Sequence, residues 1–358
     1  MPQIVHVEKA NIANCTLVEQ ALPPLGAGKV RLRVESFAVT ANNVTYAVIG
    51  DMFGYWNFFP TGVDGQGVVP MWGHGVVETS NHPDITVGER VYGYLPMATH
   101  LDVAPGSVSA GQFTDTTDYR QPMSVFYNQY SRLNADPEHD PAREAQRMIF
   151  GPLFKTGFLI EAMFRREGWF GAEQVVMTSA SSKTSMALAS VAKAKSPGVK
   201  RVGLTSAGNV GFVEGTGLYD QVVAYGDVGK IVATPSVSVD FAGSAAVLRG
   251  IHETMGAALK YSCAVGVTHI GARAGNGEAL PGPAPILFFA PDHATATVKE
   301  LGPRGFGEAV ATSWSAFVGQ TDGVVRVDVR KGIGAAVDAF EATLKGQADP
   351  AVGYVVRP

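Results

Sequence analysis

Apolar and polar positions alternate along Val30-Arg-Leu-Arg-Val-Glu-Ser-Phe. A period of two places successive side chains on opposite faces and predicts a half-buried strand. Residues 73–78 and 89–94 carry similar short patterns, with the turn Val87-Gly-Glu-Arg between them. The first third of the chain therefore reads as a compact β-rich domain.

Residues 105–150 break this rhythm. Gly, Ser, Thr, Asp and Pro interrupt it, and Asp136-Pro-Glu-His-Asp-Pro is polar and rich in breakers. An aromatic cluster, Phe126, Tyr127 and Tyr130, is followed by Arg132. A long irregular segment inside a compact domain is usually functional or disordered, and the aromatics argue against disorder. Two readings stand for this insertion: a surface excursion pinned by its own aromatics, or a substrate lid.

Beyond Pro152 the period changes. Residues 154–164 predict a helix. Short apolar strands are predicted at 174–178, 201–205, 221–225, 236–241 and 263–270. Helices are predicted between them at 184–195, 210–217 and 245–259. Strands alternating with helices give a doubly wound parallel sheet covered on both faces. Helices at 304–318 and 333–345 flank a strand at 324–329, and 352–356 closes the chain. The domain reading is 1–150 with 320–358 for the β-rich part, and 151–319 for the parallel sheet.

Composition narrows the class. Of 358 residues, 46% are hydrophobic and 17% charged, which is globular and excludes a disordered chain. Net charge is -4, from 28 basic and 32 acidic residues, so no electrostatic footprint for nucleic acid appears. No apolar run approaches the ~18 residues of a membrane span. The N-terminus lacks a basic region followed by an apolar one, so no signal peptide is read. Only Cys15 and Cys263 are present, which excludes a disulfide scaffold and leaves a reduced, cytoplasmic setting as the expectation.

Several blocks together carry a resemblance. Gly28-Lys-Val-Arg-Leu-Arg-Val-Glu-Ser-Phe, Gly73-His-Gly-Val-Val-Glu, Val87-Gly-Glu-Arg-Val-Tyr-Gly and Asp240-Phe-Ala-Gly occur in a fixed order. Residues 174–189 fall where a first nucleotide-binding strand, turn and helix would stand. The chain resembles the medium-chain dehydrogenase/reductase superfamily, in its zinc-free branch of quinone oxidoreductases and enoyl reductases. Within it the chain looks like a divergent subfamily, a domain of unknown function (DUF2855). The resemblance covers nearly the whole chain apart from 105–150. It implies an α/β protein: a GroES-like β-rich catalytic domain plus a Rossmann domain, with NADP(H) as cofactor and a homodimer as the assembly.

Zinc is not expected. A catalytic zinc needs three protein ligands and an open position. In zinc-dependent members of this superfamily the first Cys follows the opening strand, where this chain has Thr40-Ala-Asn-Asn-Val-Thr-Tyr. His74 runs straight into Gly75-Val76-Val77 and reads as a hydrogen-bonded strand residue.

A dinucleotide turn normally uses glycines, so that backbone N–H groups can approach the pyrophosphate at a helix N-terminus. Here the turn is Thr178-Ser-Ala-Ser-Ser-Lys-Thr-Ser, with no glycine. Ser179, Ser181, Ser182 and Thr184 offer hydroxyls, and Lys183 adds a cation. The other reading is an N-capped helix whose cofactor site has decayed. A P-loop would need Gly at 177 and 182, where Met177 and Ser182 stand. The second strand ends Leu204-Thr205-Ser206-Ala207, without the acid that binds the ribose hydroxyls of NAD, so Thr205 and Ser206 favour NADP. The resemblance further implies cofactor-side roles for Thr156, Ala242, Gly243 and Phe289, with Pro291 near the same wall.

For the chemistry, the resemblance points to Tyr46, in Asn42-Asn43-Val-Thr-Tyr, as the polar contact or proton donor; the alternative is a half-buried aromatic anchor. Asn42 and Asn43 either hold the nicotinamide or substrate, or form a turn. Tyr55, Trp56, Phe58 and Phe59 either line an apolar pocket or pack a core. The leading expectation is an NADPH-dependent reductase of activated alkenes, quinones or related carbonyl compounds. The alternatives are a binding or regulatory protein that has lost the cofactor turn, and another redox or lyase reaction on the same scaffold.

Overall fold

The computed structural model describes residues 1–265 and 279–358. The chain divides into two compact units, Met1–Ile149 with Val327–Pro358, and Phe150–Arg326.

The first unit is built on strands. A three-stranded sheet has the order β2 (Cys15–Glu19), β1 (Gln3–Glu8), β4 (Gln66–Gly67). The larger sheet runs from the closing strands Arg326–Lys331 and Val352–Arg357 to β3 (Val30–Val39), β5 (Pro70–Ser80) and β6 (Arg90–Pro96). It continues through β10 (Gln129–Arg132), β9 (Gln112–Asp115) and β8 (Pro105–Gly106), while β7 (His100–Val103) pairs with β3. In β3, Val30, Leu32 and Val34 are buried and alternate with Arg31, Arg33 and Glu35, as the period of two requires. Strands β3 and β5 approach so closely that a Cβ on Gly73 would lie 2.2 Å from the Ser36 carbonyl oxygen, so only glycine fits there.

Within residues 105–150, strands β9 and β10 pair with each other, and β10 adds to β6. This part of the segment is joined to the sheet and pinned by a charge. Arg120 is fully buried; its guanidinium donates to Asp115 Oδ2 (2.9 Å), Asn128 Oδ1 (3.0 Å), Tyr130 Oη (2.9 Å) and the Tyr127 carbonyl (2.7 Å). Phe58 and Phe59 present ring faces 5.5 and 5.2 Å from it. All three nitrogens of the fork donate, in four hydrogen bonds, which is what permits a buried charge.

The helix expected over 154–164 instead begins much earlier. Helix α2 spans Glu144–Arg166 after α1 (Ala41–Val48), and Pro152 lies inside it. Glu144 enters its first turn, where the helix dipole favours an anion, and both its oxygens accept from Arg90.

The second unit holds a six-stranded sheet in the order β13 (Gln221–Ala224), β12 (Lys200–Thr205), β11 (Gln174–Met177), β14 (Ser236–Asp240), β15 (Leu259–Ala264), β16 (Ile286–Leu287). Every pairing is parallel. The order runs outward in both directions from β11, so the crossovers place helices on both faces. Three of those crossover helices are α3 (Lys183–Lys195), α4 (Val210–Gly215) and α5 (Ala245–Met255). Four-residue β11 is buried throughout, as expected of a strand covered on both sides, and its one polar member, Gln174, donates to the Val232 carbonyl and the Ser236 hydroxyl.

Strand β15 starts at Leu259, ahead of the expected 263, and residues 266–270 of that expectation lie outside the described residues. The helix expected at 304–318 belongs to α6 (Ala290–Thr321), whose backbone breaks at Gly302 with φ 71. Among the described residues no helix is long and apolar enough to cross a membrane.

Candidate functional site

In the second unit, a switch point lies where the strand order reverses beside β11. Parallel strands share one edge at their C-terminal ends, and the turns after β11, β12 and β14 leave from it. That edge brings together Ser179, Ser181, Ser182, Lys183 and Thr184 after β11, Thr205 and Ser206 at the end of β12, and Ala242 and Gly243 after β14. Phe289 follows β16 at the same edge and caps α6. Thr156 lies within α2, where its hydroxyl donates back to the Pro152 carbonyl at 3.1 Å.

The turn after β11 contains no glycine, yet it opens on a left-handed residue. Ser179 adopts φ 47, a left-handed conformation that glycine normally supplies. Its backbone N–H donates to the Tyr225 hydroxyl at 3.0 Å. The Tyr219 hydroxyl donates to the Ala180 carbonyl at 2.8 Å and lies 2.9 Å from the Ser185 hydroxyl. Asn209 donates to the Ser181 hydroxyl at 3.2 Å. Ser182 caps α3 by accepting from the Ser185 N–H at 3.3 Å. Close packing comes from the neighbouring strand: a Cβ on Gly203 would lie 2.8 Å from Tyr219 and 2.9 Å from Ala180.

Thr178 and Asp240 tie β11 to β14. The Thr178 hydroxyl donates to Asp240 Oδ1 at 2.8 Å and accepts from the N–H groups of Phe241 and Ala242. Asp240 Oδ1 also accepts from the Ala242 and Gly243 N–H groups, at 3.1 Å each. These two residues were expected to face cofactor; their amides are engaged by the protein.

Sequence reasoning missed Tyr219, Tyr225 and Asn209. Tyr225 stood at the end of an expected strand, and only its place beside the edge gives its hydroxyl a partner in the turn.

In the first unit, α1 carries the three residues singled out for chemistry. Asn43 departs from that expectation. Its Oδ1 accepts from the Thr40 N–H at 2.7 Å and its Nδ2 donates to the Pro70 carbonyl at 2.8 Å, so its amide is spent on capping α1. Asn42 donates to the Tyr46 hydroxyl at 2.5 Å, and the Trp72 indole N–H donates to the same oxygen at 3.1 Å. Burial pushes the Tyr46 phenol well above its usual range, and the hydrogen bonds from Trp72 and Asn42 pull against it. Tyr46 therefore stays protonated and can act as a donor.

Rings surround it. Tyr55 lies 4.5 Å and Tyr94 5.5 Å from Tyr46 by ring centroids, and Tyr127 lies 4.9 Å from Tyr94. The Tyr55 and Tyr127 hydroxyls are 3.1 Å apart. Tyr127 enters through the Arg120 clamp, so the segment 105–150 supplies one wall of this cluster.

His74 also departs from expectation. It is fully buried on β5, beside the Tyr92 ring, and neither ring nitrogen has a hydrogen-bond partner. Among the described residues, no group of three His, Cys, Asp or Glu is placed to hold a metal ion.

Residues 37–349 match the model of the family described as "Protein of unknown function (DUF2855)", and the chain belongs to that family. No curated protein matches the sequence. Solved structures share the fold over the full length. CurA of Vibrio vulnificus in complex with NADPH matches with a TM-score of 0.63 and 15% identity, over 99% of this chain and 98% of that one. The mycobacterial Rv1454c complexed with NADPH matches at 0.56 and 14%, over 100% of both chains. CurK enoyl reductase matches at 0.55 and 13%, over 99% of both. The two-domain α/β fold of the medium-chain dehydrogenase/reductases, implied by the sequence blocks, is the fold of this chain.

Proposed function

We propose that the protein is an NADPH-dependent, zinc-independent reductase of activated alkenes, quinones or related carbonyl compounds. The first unit is its catalytic domain and the second its dinucleotide-binding domain. One observation carries the reading: a left-handed Ser179 opens a hydroxyl-rich turn into α3 at the switch point of a parallel sheet. Helix starts present N–H groups without partners inside the helix, and the dipole there favours phosphate. Ser181, Ser182, Lys183 and Thr184 would hold the pyrophosphate. Thr205 and Ser206 would face the adenosine ribose, with no carboxylate to repel a 2′-phosphate. The structure of NADP-bound YhdH from Salmonella enterica has the same fold at 15% identity, which agrees with this reading.

When bound, the dinucleotide supplies hydride. The chain's part is to orient the acceptor and to donate a proton from the Tyr46 hydroxyl, with Asn42 fixing that oxygen. The homodimer and the cytoplasmic setting belong to the same proposal. Exposed Ile286 and Leu287 on terminal strand β16 support self-association.

One observation favours the competing reading of a binding protein with a closed cofactor site. The N–H groups of Ser179, Ala242 and Gly243 are already engaged by Tyr225, Thr178 and Asp240. NADPH titration followed by nucleotide fluorescence and thermal shift separates the two. Saturable binding with a raised melting temperature supports the reductase; no binding at millimolar NADPH leaves the closed site.

A further inference from the structure

The Tyr46 oxygen has two lone pairs, and both are in use: Asn42 donates to it at 2.5 Å and Trp72 at 3.1 Å. The one thing the hydroxyl can still offer is its own proton. Beside it lies the Tyr94 hydroxyl, on a side chain with no exposed surface and with no hydrogen bond of acceptable geometry. A buried hydroxyl without a partner is costly, and phenylalanine would fill the same space without that cost. The position therefore calls for a role outside the resting state.

We propose that Tyr94 and Trp72 are positioning residues that act through Tyr46, holding its oxygen after the proton has left. The step is simple in atoms. Hydride addition to a conjugated carbonyl leaves a carbanion or enolate on the substrate. The Tyr46 O–H bond breaks, its electron pair stays on oxygen, and the proton bonds to that carbon or oxygen. Water later returns a proton to Tyr46. The phenolate has a third lone pair, and the Tyr94 hydroxyl reaches it by turning about its C–O bond. Three donors, Asn42, Trp72 and Tyr94, then surround one negative oxygen in a dry site, the arrangement by which fixed dipoles stabilise charge as it forms. Other titratable groups facing Tyr46 are the phenols of Tyr55 and Tyr127, which pair with each other at 3.1 Å.

The inference rests on Tyr46 being the proton donor, and the test keeps the two apart. Difluorotyrosine placed at position 46 gives a fluorine NMR signal that reports its ionisation in the protein without cofactor. Tyr94→Phe and Trp72→Phe should each raise its apparent pKa by about one unit or more, since a hydrogen bond to charge is lost. Tyr55→Phe, whose hydroxyl bonds Tyr127, should leave it unchanged. With natural tyrosine at 46, Tyr94→Phe should lower kcat about tenfold with KM and NADPH affinity unchanged. An unmoved fluorine titration in Tyr94→Phe overturns the proposal. A moved titration with full reductase activity in Tyr46→Phe overturns the proton-donor reading and leaves the hydrogen-bond network standing.

Discussion

The backbone N–H of Ser179 donates to the hydroxyl of Tyr225 across 3.0 Å. Ser179 holds φ 47, which costs an L-residue about 1 kcal/mol or more. The tyrosine offsets that cost from just past the end of β13. Tyr225→Phe should destabilise the cofactor-free protein by about 1 kcal/mol in urea unfolding. In a Ser179→Gly background the same change should cost less, because glycine takes the conformation unaided. Equal costs in the two backgrounds would show that the bond does not support the turn.

Lys183 opens α3 among Ser181, Ser182 and Thr184, where the dipole disfavours a cation by about 0.3–1 kcal/mol. Phosphate reverses that sign. Lys183→Met should raise the NADPH dissociation constant about tenfold or more. An unchanged constant would remove Lys183 from the phosphate site.

Ser206 is exposed just past β12. Ser206→Asp sets a carboxylate near the 2′-phosphate position, so NADPH affinity should fall about tenfold while NADH holds or tightens. The effect should shrink at high salt, because exposed charges are screened. Equal loss for both nucleotides would place Ser206 elsewhere.

How much of this was readable depends on element length. Strands β11, β12, β13 and β14 were legible because each is a short run carrying apolar residues between polar turns, whereas two-residue β16 was too short to show. Strands β9 and β10 have four residues each, too few positions for a period to emerge from Gly, Ser and Asp. Arg120 was invisible for another reason: hydropathy assigns arginine to solvent, and only the tertiary fork of Asp115, Asn128, Tyr127 and Tyr130 makes burial tolerable. Helix α2 was cut short because Pro152 reads as a breaker, although the helix passes through it. Tyr46 was singled out from the sequence, but its partner Trp72 lies across the strand β5 and carries no local signal.

Arg120→Met should therefore be severe. Removing the guanidinium leaves the buried Asp115 charge without its cation, at a cost of about 3–5 kcal/mol. Arg120→Lys should not restore it, since one ammonium cannot serve Asp115, Asn128 and the Tyr127 carbonyl together. Chemical denaturation checks both, and a loss under about 1 kcal/mol would contradict the clamp.

His74 gives the fold an acid limit. Burial pushes its imidazole down to about 4 from an ordinary 6.5. The unfolded chain takes up a proton near 6.5, whereas the folded protein resists until about 4. Stability is thus full above 6.5 and falls as pH drops towards 4, by about 3 kcal/mol at most. His74→Phe should flatten that part of the pH–stability curve and leave neutral-pH stability intact or improved. His6, His252 and His293 shift the same way and keep a residual slope. A curve of unchanged steepness would assign the acid limit to those three.

In the turn after β11 the requirement for smallness falls on the neighbouring strand. Ala180 carries a methyl group in the turn, and Gly203 on the facing strand gives up its own side chain to receive it. A glycine count along the turn therefore misses the position where smallness is needed, which lies one strand away on β12.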